Sequence, residues 1–237
     1  MKPAALLALA TSFRDAAAAD VAAAETASEL HAATFQAHSR LDRLEKQLFA
    51  EHSVRVDCKA GCGTCCHLGK IDARAHEVFA LADWITRNFS PPEREAVLIR
   101  ARAHAAAVAP LTLEDHLRTV RACPLLRDMR CSAHEARPGV CRIGHSTDVR
   151  ICERAFQNPD DLKAKGGSHA ESKLAMTVAS DGTSFAFLEA GFDKTAYDLG
   201  SALAEALSDD DALQRWLAGG RAFSDAAIAK QEKAASE

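Results

Sequence analysis

The sequence predicts a mainly α-helical protein with a loop-rich, cysteine-cluster metal site and a small β-hairpin. Hydrophobic residues make up 48% of the 237 residues, and much of that share is alanine, the best helix former. Aromatic residues contribute only 5%, which favours closely packed helices with small side chains. A dense group of cysteines between residues 58 and 152 interrupts this pattern and predicts loops.

The first segment, residues 1–52, is predicted to be an N-terminal helical extension, with a helix from about residue 12 to residue 50. Its apolar stripe repeats at intervals of four and three residues, which places it on one face of a helix. The stripe consists of Leu30, Thr34, Ala37, Leu41, Leu44 and Leu48. This face is predicted to pack on the rest of the chain, on a second copy in a homodimer, or on another protein partner.

The second segment, residues 53–157, is predicted to be a cysteine-cluster metal-binding domain. Gly61, Gly63 and Gly69 lie among or just after the first cysteines and predict a loop there. Asp72 is expected to cap the helix that follows, over residues 73–89.

The next predicted helix begins at Ser90-Pro91-Pro92-Glu93 and extends to about residue 108. This run combines a capping serine, a proline at the first helical position and a glutamate three residues after the serine. A short helix is predicted over residues 113–121, and a loop-rich stretch from Cys123 to Cys152.

The third segment, residues 158–237, is predicted to contain a hairpin and further helices. Alternating apolar residues on both sides of Asp181-Gly182 predict the hairpin, over residues 174–187, because Asp-Gly is favoured in tight turns. The other predicted elements are a polar connection over 158–169, helices over 196–207 and 210–217, a stop at Gly219-Gly220 and a frayed end over the last dozen residues.

The cysteines carry the strongest functional signal of the chain. Cys62 and Cys65 have the two-residue separation of a metal knuckle, with glycines beside them that allow the backbone to turn. Clustered thiolates are ligands for zinc or for an iron–sulfur cluster. The predicted metal ligands are Cys58, Cys62, Cys65, Cys66, Cys123, Cys131, Cys141 and Cys152.

The pattern leaves open whether there is one metal site or two. Cys65 and Cys66 are adjacent, so their side chains are expected to diverge. Either they face two sites, or one binds metal while the other packs in the core or stays reactive. Arg137 and Arg142 are expected near the site, where they would offset the negative charge of the thiolates.

Histidines are weaker candidates for metal binding than the cysteines. His67 and His145 lie close to cysteines in the sequence and could replace a thiolate or carry protons. Five other histidines are expected at solvated helix or loop positions: His31, His38, His104, His116 and His169.

Charge and hydropathy exclude several classes of partner. The formal charge is −4, with 29 basic and 33 acidic residues, so no nucleic-acid partner is expected. No apolar run approaches the roughly 20 residues that span a bilayer, so no membrane partner is expected. The short apolar run near the N-terminus is interrupted by Arg14 and Asp15 and does not favour secretion. A cytoplasmic location is therefore predicted, where clustered cysteines favour metal over disulfides.

Three stretches of this sequence together resemble a known family. They are Cys58 to Cys66, Cys123-Pro124-Leu125-Leu126, and Cys131-Ser132 to Cys141-Arg142 with Glu135, Arg137 and Pro138 between. Over about residues 55–155 the chain resembles the cysteine-cluster family described as a "putative zinc- or iron-chelating domain". One departure is His134, where members commonly have tyrosine.

The resemblance implies a metal-binding protein whose iron–sulfur cluster or zinc has a structural, redox or sensing role. A bacterial flagellin lysine methylase, associated with an iron–sulfur centre, carries a similar cysteine pattern. A related protein-modifying enzyme is therefore one alternative, and a metal storage or transfer protein is another. The sequence assigns no catalytic residue.

Overall fold

The computed structural model describes residues 1–59, 61–68, 70–161 and 167–230. The chain is 63% helical, with ten α-helices and two short antiparallel strand pairs in these residues, which confirms the mainly α-helical prediction. The described part does not include Gly69, residues 162–166 or the last seven residues. The predictions that concern them therefore lie outside it.

The helices and strands follow one another along the chain. The helices are α1 (Pro3–Ala22), α2 (Ala27–Glu51), α3 (Ala75–Asn88), α4 (Pro91–Val108), α5 (Leu113–Arg118), α6 (Gly139–Ile143), α7 (Val149–Gln157), α8 (Ala170–Glu189), α9 (Leu199–Ala206) and α10 (Ala212–Leu217). The strands are β1 (Asp72–Arg74), β2 (Leu126–Arg127), β3 (Arg130–Cys131) and β4 (Ala196–Asp198). Strand β1 pairs with β4, and β2 pairs with β3.

The N-terminal segment forms two helices rather than the single predicted one. Helix α2 begins at a capping box, in which the Glu29 N–H donates to the Thr26 hydroxyl at 3.2 Å and the Glu29 carboxylate accepts from the Thr26 N–H at 2.9 Å. These bonds satisfy backbone groups at the start of α2 and allow the chain to turn between the helices. The alanine-rich sequence on both sides had suggested continuity.

The hairpin predicted around Asp181-Gly182 is wrong, because this region is the middle of helix α8. A Cβ at Gly182 would overlap the backbone of Ala10 in α1. The glycine therefore serves the close approach of α1 and α8, not a turn. A small hairpin does occur, but it lies within the second cysteine segment, after Cys123, where Leu126 in β2 pairs with Cys131 in β3.

Other predicted boundaries are confirmed in part. Helix α4 begins at Pro91, and Ser90 and Glu93 form the expected capping box. Asp72 does not cap a helix; it lies in β1, opposite Asp198 in β4. The helix expected over residues 196–207 starts instead as strand β4 and continues as α9, because Asp198 caps the helix at that point.

The two helices α6 and α7 lie in the stretch from Cys123 to Cys152 that was predicted to be mostly loop. Both are short, at five and nine residues. Short helices need tertiary packing to form, so hydrophobic spacing alone did not reveal them.

The main hydrophobic core lies between α3, α9, α10 and β4. Its largest fully buried side chains include Leu81, Ile85, Tyr197, Leu203 and Trp216. A second, smaller cluster joins α1, α2 and α8 through residues such as Leu41, Leu48 and Met176. No described helix has the length and apolarity that a membrane span requires.

The apolar stripe of α2 packs inside the chain. Five of its members are buried: Leu30, Thr34, Ala37, Leu41 and Leu48. The protein's own elements cover most of this face, and the homodimer or partner contact through it stays a prediction. The division at residues 52 and 157 stays a prediction, and the main core takes residues from all three segments.

Candidate metal centre

The first cysteine loop is shaped by its own backbone hydrogen bonds. The Cys62 N–H donates to the Lys59 carbonyl and the Cys66 N–H donates to the Gly63 carbonyl, each at 3.0 Å. Residues Thr64–Cys66 form a single 3-10 turn, and Gly61 has a φ of +88°, a conformation that suits glycine. This loop presents four cysteines over a few residues.

The loop rests on the β2–β3 hairpin. A Cβ at Gly63 would lie 2.9 Å from both the Leu126 side chain and the Met129 carbonyl oxygen. Only a residue without a side chain fits there. Gly63 therefore allows the two cysteine segments to come into contact.

Backbone and side-chain bonds join the second cysteine segment to the first loop and to the core. The Cys123 N–H donates to the Cys66 carbonyl at 2.8 Å. Cys141 lies in the first turn of α6, where the Gly139 N–H donates to the buried Glu77 carboxylate at 2.7 Å. Glu77 also accepts from the Arg74 N–H at 2.9 Å. Helix α3 thus anchors the loop that carries Cys141.

Five cysteines form what we call the inner thiol group: Cys65, Cys66, Cys123, Cys131 and Cys141. Burial raises the pKa of Cys141 well above its ordinary value, and the neighbouring Cys123 and Cys131 raise it further. Burial likewise raises the pKa of Cys123 to about 12. Residues from both segments therefore converge on one place.

The adjacent pair Cys65 and Cys66 interact directly. A hydrogen bond from the Cys66 thiol lowers the pKa of Cys65 to about 6, and the same bond raises the pKa of Cys66. Both residues lie in the 3-10 turn over Thr64–Cys66, and the divergence of their side chains stays a prediction.

Three further cysteines, Cys58, Cys62 and Cys152, form what we call the outer thiol group. The Ser146 N–H donates to the Cys58 sulfur at 3.2 Å. Burial raises the pKa of Cys58, and nearby Cys62, Cys65 and Cys152 raise it further. Cys65 therefore lies between the two groups, and α7, which carries Cys152, packs on the 3-10 turn.

The chemistry of these donors fits zinc or iron. All eight cysteines are free; Cys58 and Cys65 are exposed and the others are half-buried. In the described part of the chain, the groups of three donors with all ligand atoms within 4.8 Å of one another contain histidine and carboxylate, not cysteine. A single zinc ion bonded to sulfur at 2.3 Å needs sulfurs about 3.8 Å apart.

The two arginines beside Cys141 have different surroundings. Arg142 is buried; it pairs with Asp42 and donates to the carbonyls of Arg137 and Glu135, so it holds the loop against α2. Arg137 lies nearer the thiols. Burial raises the pKa of Cys131, and the charge of Arg137 counteracts part of that rise.

The two histidines predicted as alternative ligands lie near the thiols but have other contacts. The His67 Nδ1 lies 3.1 Å from the Gly63 carbonyl, and its ring packs edge-on against Phe156. Both ring nitrogens of His145 are engaged, with the Ile143 carbonyl at 3.0 Å and the His169 N–H at 2.9 Å. His145 therefore positions the chain after the second segment.

Four histidines expected in solvent are buried, which corrects that prediction: His31, His38, His104 and His116. The His38 Nε2 lies 3.3 Å from the Glu77 carboxylate. Burial opposes ionisation of Glu77, but the bond with His38 and the Arg74 N–H outweigh it and lower the Glu77 pKa to about 2. For His104 a signal existed in the sequence: Val97, Ala101, His104 and Val108 follow helical four-three-four spacing, and all are buried.

Comparison with known proteins supports metal chelation by this region. Neither the curated proteins nor the solved structures contain a match to the chain. The family model CxxCxxCC, described as "Putative zinc- or iron-chelating domain", matches residues 57–161. That range contains all eight cysteines of both thiol groups. Over residues 57–161, less than half of its length, the chain is therefore similar to this family, and α1, α2 and the elements from α8 onward lie outside the match.

Proposed function

We propose that the inner thiol group binds an iron–sulfur cluster, with the outer thiol group as a separate second set of ligands. The observation that carries this proposal is the convergence of Cys123, Cys131 and Cys141 on the Cys65–Cys66 turn. The family supplies the coarser statement, that the domain chelates zinc or iron.

The spacing of the thiols supports a cluster over a single zinc ion. In an iron–sulfur cluster the protein thiolates bind different iron atoms. Ligand sulfurs can therefore lie further apart than around one tetrahedral zinc. In the described residues, no cysteine belongs to a group of three donors whose ligand atoms all lie within 4.8 Å of one another. This wider spacing suits an iron–sulfur cluster better than a single zinc ion.

The protein's own residues would hold such a cluster in a defined environment. Four thiolates and the cluster carry net negative charge, and Arg137 is the cation whose charge reaches Cys131. The bond from the Cys123 N–H to the Cys66 carbonyl fixes the two segments side by side. A bound cluster would tie these segments together, which supports a structural role; redox or sensing chemistry would use the same ligands.

The enzyme alternative rests on a cavity of about 260 Å³ beside α8, lined by residues that include Arg74, His76, Asp181 and Lys194. None of the cysteines lines this cavity. A protein-modifying activity and a metal storage or transfer role therefore stay alternatives. A cytoplasmic location is part of the proposal, because clustered free thiols need a reducing compartment.

The test is purification without air, followed by measurement of iron, zinc and acid-labile sulfide in three proteins. Cys141→Ala removes an inner thiol, and Cys152→Ala is the matched control, because both are half-buried cysteines on short helices. We expect the wild type and Cys152→Ala to carry iron and sulfide, and Cys141→Ala to lose nearly all of both.

Three results would contradict the proposal. Zinc without sulfide in the wild type would assign a zinc site instead. Equal partial losses of iron and sulfide in both variants would indicate two sites that bind similar amounts of iron. Cysteines quantitatively paired as disulfides in protein taken directly from cells would exclude a thiolate metal centre.

A further inference from the structure

A second group of possible metal ligands lies in the helical core, outside the thiol groups. His104 comes from α4, His116 from α5 and Asp198 from the end of β4. Their exposed fractions are 8%, 4% and 5%. One ligand atom from each lies within 4.8 Å of the other two. We call these residues the histidine–aspartate cluster.

The distances in this cluster suit a shared metal ion. The His104 Nε2 lies 3.0 Å from the Asp198 Oδ1, and the His116 Nε2 lies 3.9 Å from the Asp198 Oδ2. Two donors bonded to zinc at 2.0–2.1 Å, at a tetrahedral angle, are about 3.3 Å apart. The two distances, to different oxygens of Asp198, lie on either side of that value, and one ligand atom of each residue lies within 4.8 Å of the other two.

The charge balance of the cluster also favours a cation. A buried carboxylate needs a partner of opposite charge or several hydrogen bonds. Within the described ranges, the ion-pair partners of Asp198 are the two histidines, and no lysine or arginine pairs with it. Asp198 also accepts from the Ser201 N–H at 2.9 Å and hydroxyl at 2.7 Å. A divalent ion would neutralise the carboxylate and use the imidazole lone pairs.

The fold leaves room for the His104 ring at this place. A Cβ at Gly200, in the first turn of α9, would overlap that ring. Helix α4 packs closely on α9, so the glycine permits His104 to reach Asp198 across the helix interface. The three donors thus come from segments that are up to 94 residues apart in sequence.

We propose that His104, His116 and Asp198 form a thiol-free site for a divalent transition-metal ion. Two imidazole nitrogens and one carboxylate oxygen are a donor set for zinc or iron(II). We take zinc as the ion to test. Bound there, it would join α4, α5 and the start of α9, and its role would be structural because all three donors are buried.

The test compares zinc content after anaerobic loading and removal of loosely bound metal. His116→Gln removes one donor at the longer of the two contacts, which should disturb the fold least. His31→Gln is the matched control, because His31 is also buried and its Nδ1 lies 3.5 Å from a carboxylate oxygen of Asp83. We expect His116→Gln to bind one zinc per chain fewer than the wild type, and His31→Gln to bind as many. Equal zinc content in all three proteins would overturn the proposal.

A measurement on the wild type keeps the proposal testable if His116→Gln does not fold. Cobalt(II) bound by thiolates gives intense sulfur-to-metal absorption, whereas cobalt(II) bound by nitrogen and oxygen gives only weak ligand-field bands. We expect one equivalent of cobalt to bind without adding sulfur-to-metal absorption. Absorption that rises in proportion to every bound equivalent would overturn the site.

The same data separate this proposal from the one on the thiol groups. If the thiol centre is absent, protein purified without air lacks sulfide and bound cobalt lacks sulfur-to-metal absorption. The difference of one zinc between His116→Gln and His31→Gln would still be expected. If only the difference in zinc content between these two variants is missing, the histidine–aspartate cluster is a buried hydrogen-bond network. The proposal of a metal centre at the thiols is then unaffected.

Discussion

The inner thiol group and the histidine–aspartate cluster are built in opposite ways. The thiols lie on loops and very short helices, and backbone hydrogen bonds such as that from Cys123 to Cys66 position them. The histidine–aspartate cluster sits on α4, α5 and β4, and the packing of those elements positions it. The first centre therefore depends on backbone hydrogen bonds between loops, and the second on the packing of core elements.

The two regions are nevertheless neighbours. Burial is the main cause of the raised pKa of Cys123, and the negative charge of Asp198 adds to it. A change of charge at one centre should therefore shift the pKa of groups at the other. The difference between them predicts which changes disturb only the thiol region and which disturb the core as well.

Metal removal should have the largest effect, and it should separate the two regions. Structural metal sites in small peptides contribute about 10 kcal/mol or more to folding, and the thiol segments have only short turns, helices and two-residue strands of their own. After chelation we expect loss of hydrogen-exchange protection in residues 57–59, 61–68 and 123–141, with α3 and α9 still protected. The measurement is hydrogen exchange followed by mass spectrometry.

The control for this experiment is the helix pair α1 and α8, which lies outside the matched family domain. Its protection should not change on chelation. Unchanged protection of the thiol loops after complete metal removal would show that the loops hold their shape without metal.

Glu77→Gln should have the next largest effect, because Glu77 links the thiol region to the core. The pKa of Glu77 is lowered from an ordinary value of about 4.3 to about 2. A lowered carboxyl pKa gives stability that is present above about pH 4.3 and lost as the pH falls towards 2. The shift corresponds to about 3 kcal/mol, so the variant should be less stable than the wild type at pH 7 by an amount of that order.

The pH dependence gives a sharper readout than stability at one pH. Burial lowers the pKa of His76 to about 4. The folded state therefore resists protonation of His76, and the stability of the fold decreases as the pH falls from about 6.5 to 4. Urea unfolding of Glu77→Gln should still show the loss of stability below about pH 6.5, because burial still disfavours protonation of His76 and the Glu77 charge that favours it is gone. The loss below about pH 4.3 should disappear. The control is Glu93→Gln, an exposed capping carboxylate on α4. Equal pH profiles for wild type and Glu77→Gln would contradict the assignment.

Arg137→Gln should have the smallest effect. Besides its charge near Cys131, Arg137 lies 3.8 Å from a carboxylate oxygen of Asp42 and donates to the His134 carbonyl. The positive charge of Arg137 lowers the pKa of Cys131. Without it, protons compete better for that thiol, so metal should be lost at a higher pH. We expect a few-fold weaker metal retention, most evident at mildly acidic pH.

Arg142→Gln is the comparison for Arg137→Gln. Arg142 makes its bonds to Asp42 and to two carbonyls, and lost hydrogen bonds of a buried charged group cost about 1.5–3 kcal/mol. We expect lower stability in urea at every pH. If the curves of metal retention against pH superimpose for wild type and Arg137→Gln, Arg137 has no electrostatic role at the site.

Local signals in the sequence were sufficient for some features. Ser90-Pro91-Pro92-Glu93 begins α4 because a capping box depends only on residues within one helical turn. The resemblance to a zinc- or iron-chelating family follows from the cysteine spacing, since the family pattern is itself a spacing of cysteines along the sequence. Asp181-Gly182 shows the limit of such signals. The pair favours a turn locally, but packing of α1 against Gly182 requires a helix.

Sequence signals were enough to predict the helical class, the capped start of α4 and the resemblance to a zinc- or iron-chelating family. The folded structure was needed to show which thiols group together, that α1 lies along α8, and that His104 and His116 meet Asp198 in the core. The physical reason is the range of the interactions. Helix propensity, capping and cysteine spacing act over a few residues, whereas burial of a polar side chain depends on segments that meet only when the chain has folded.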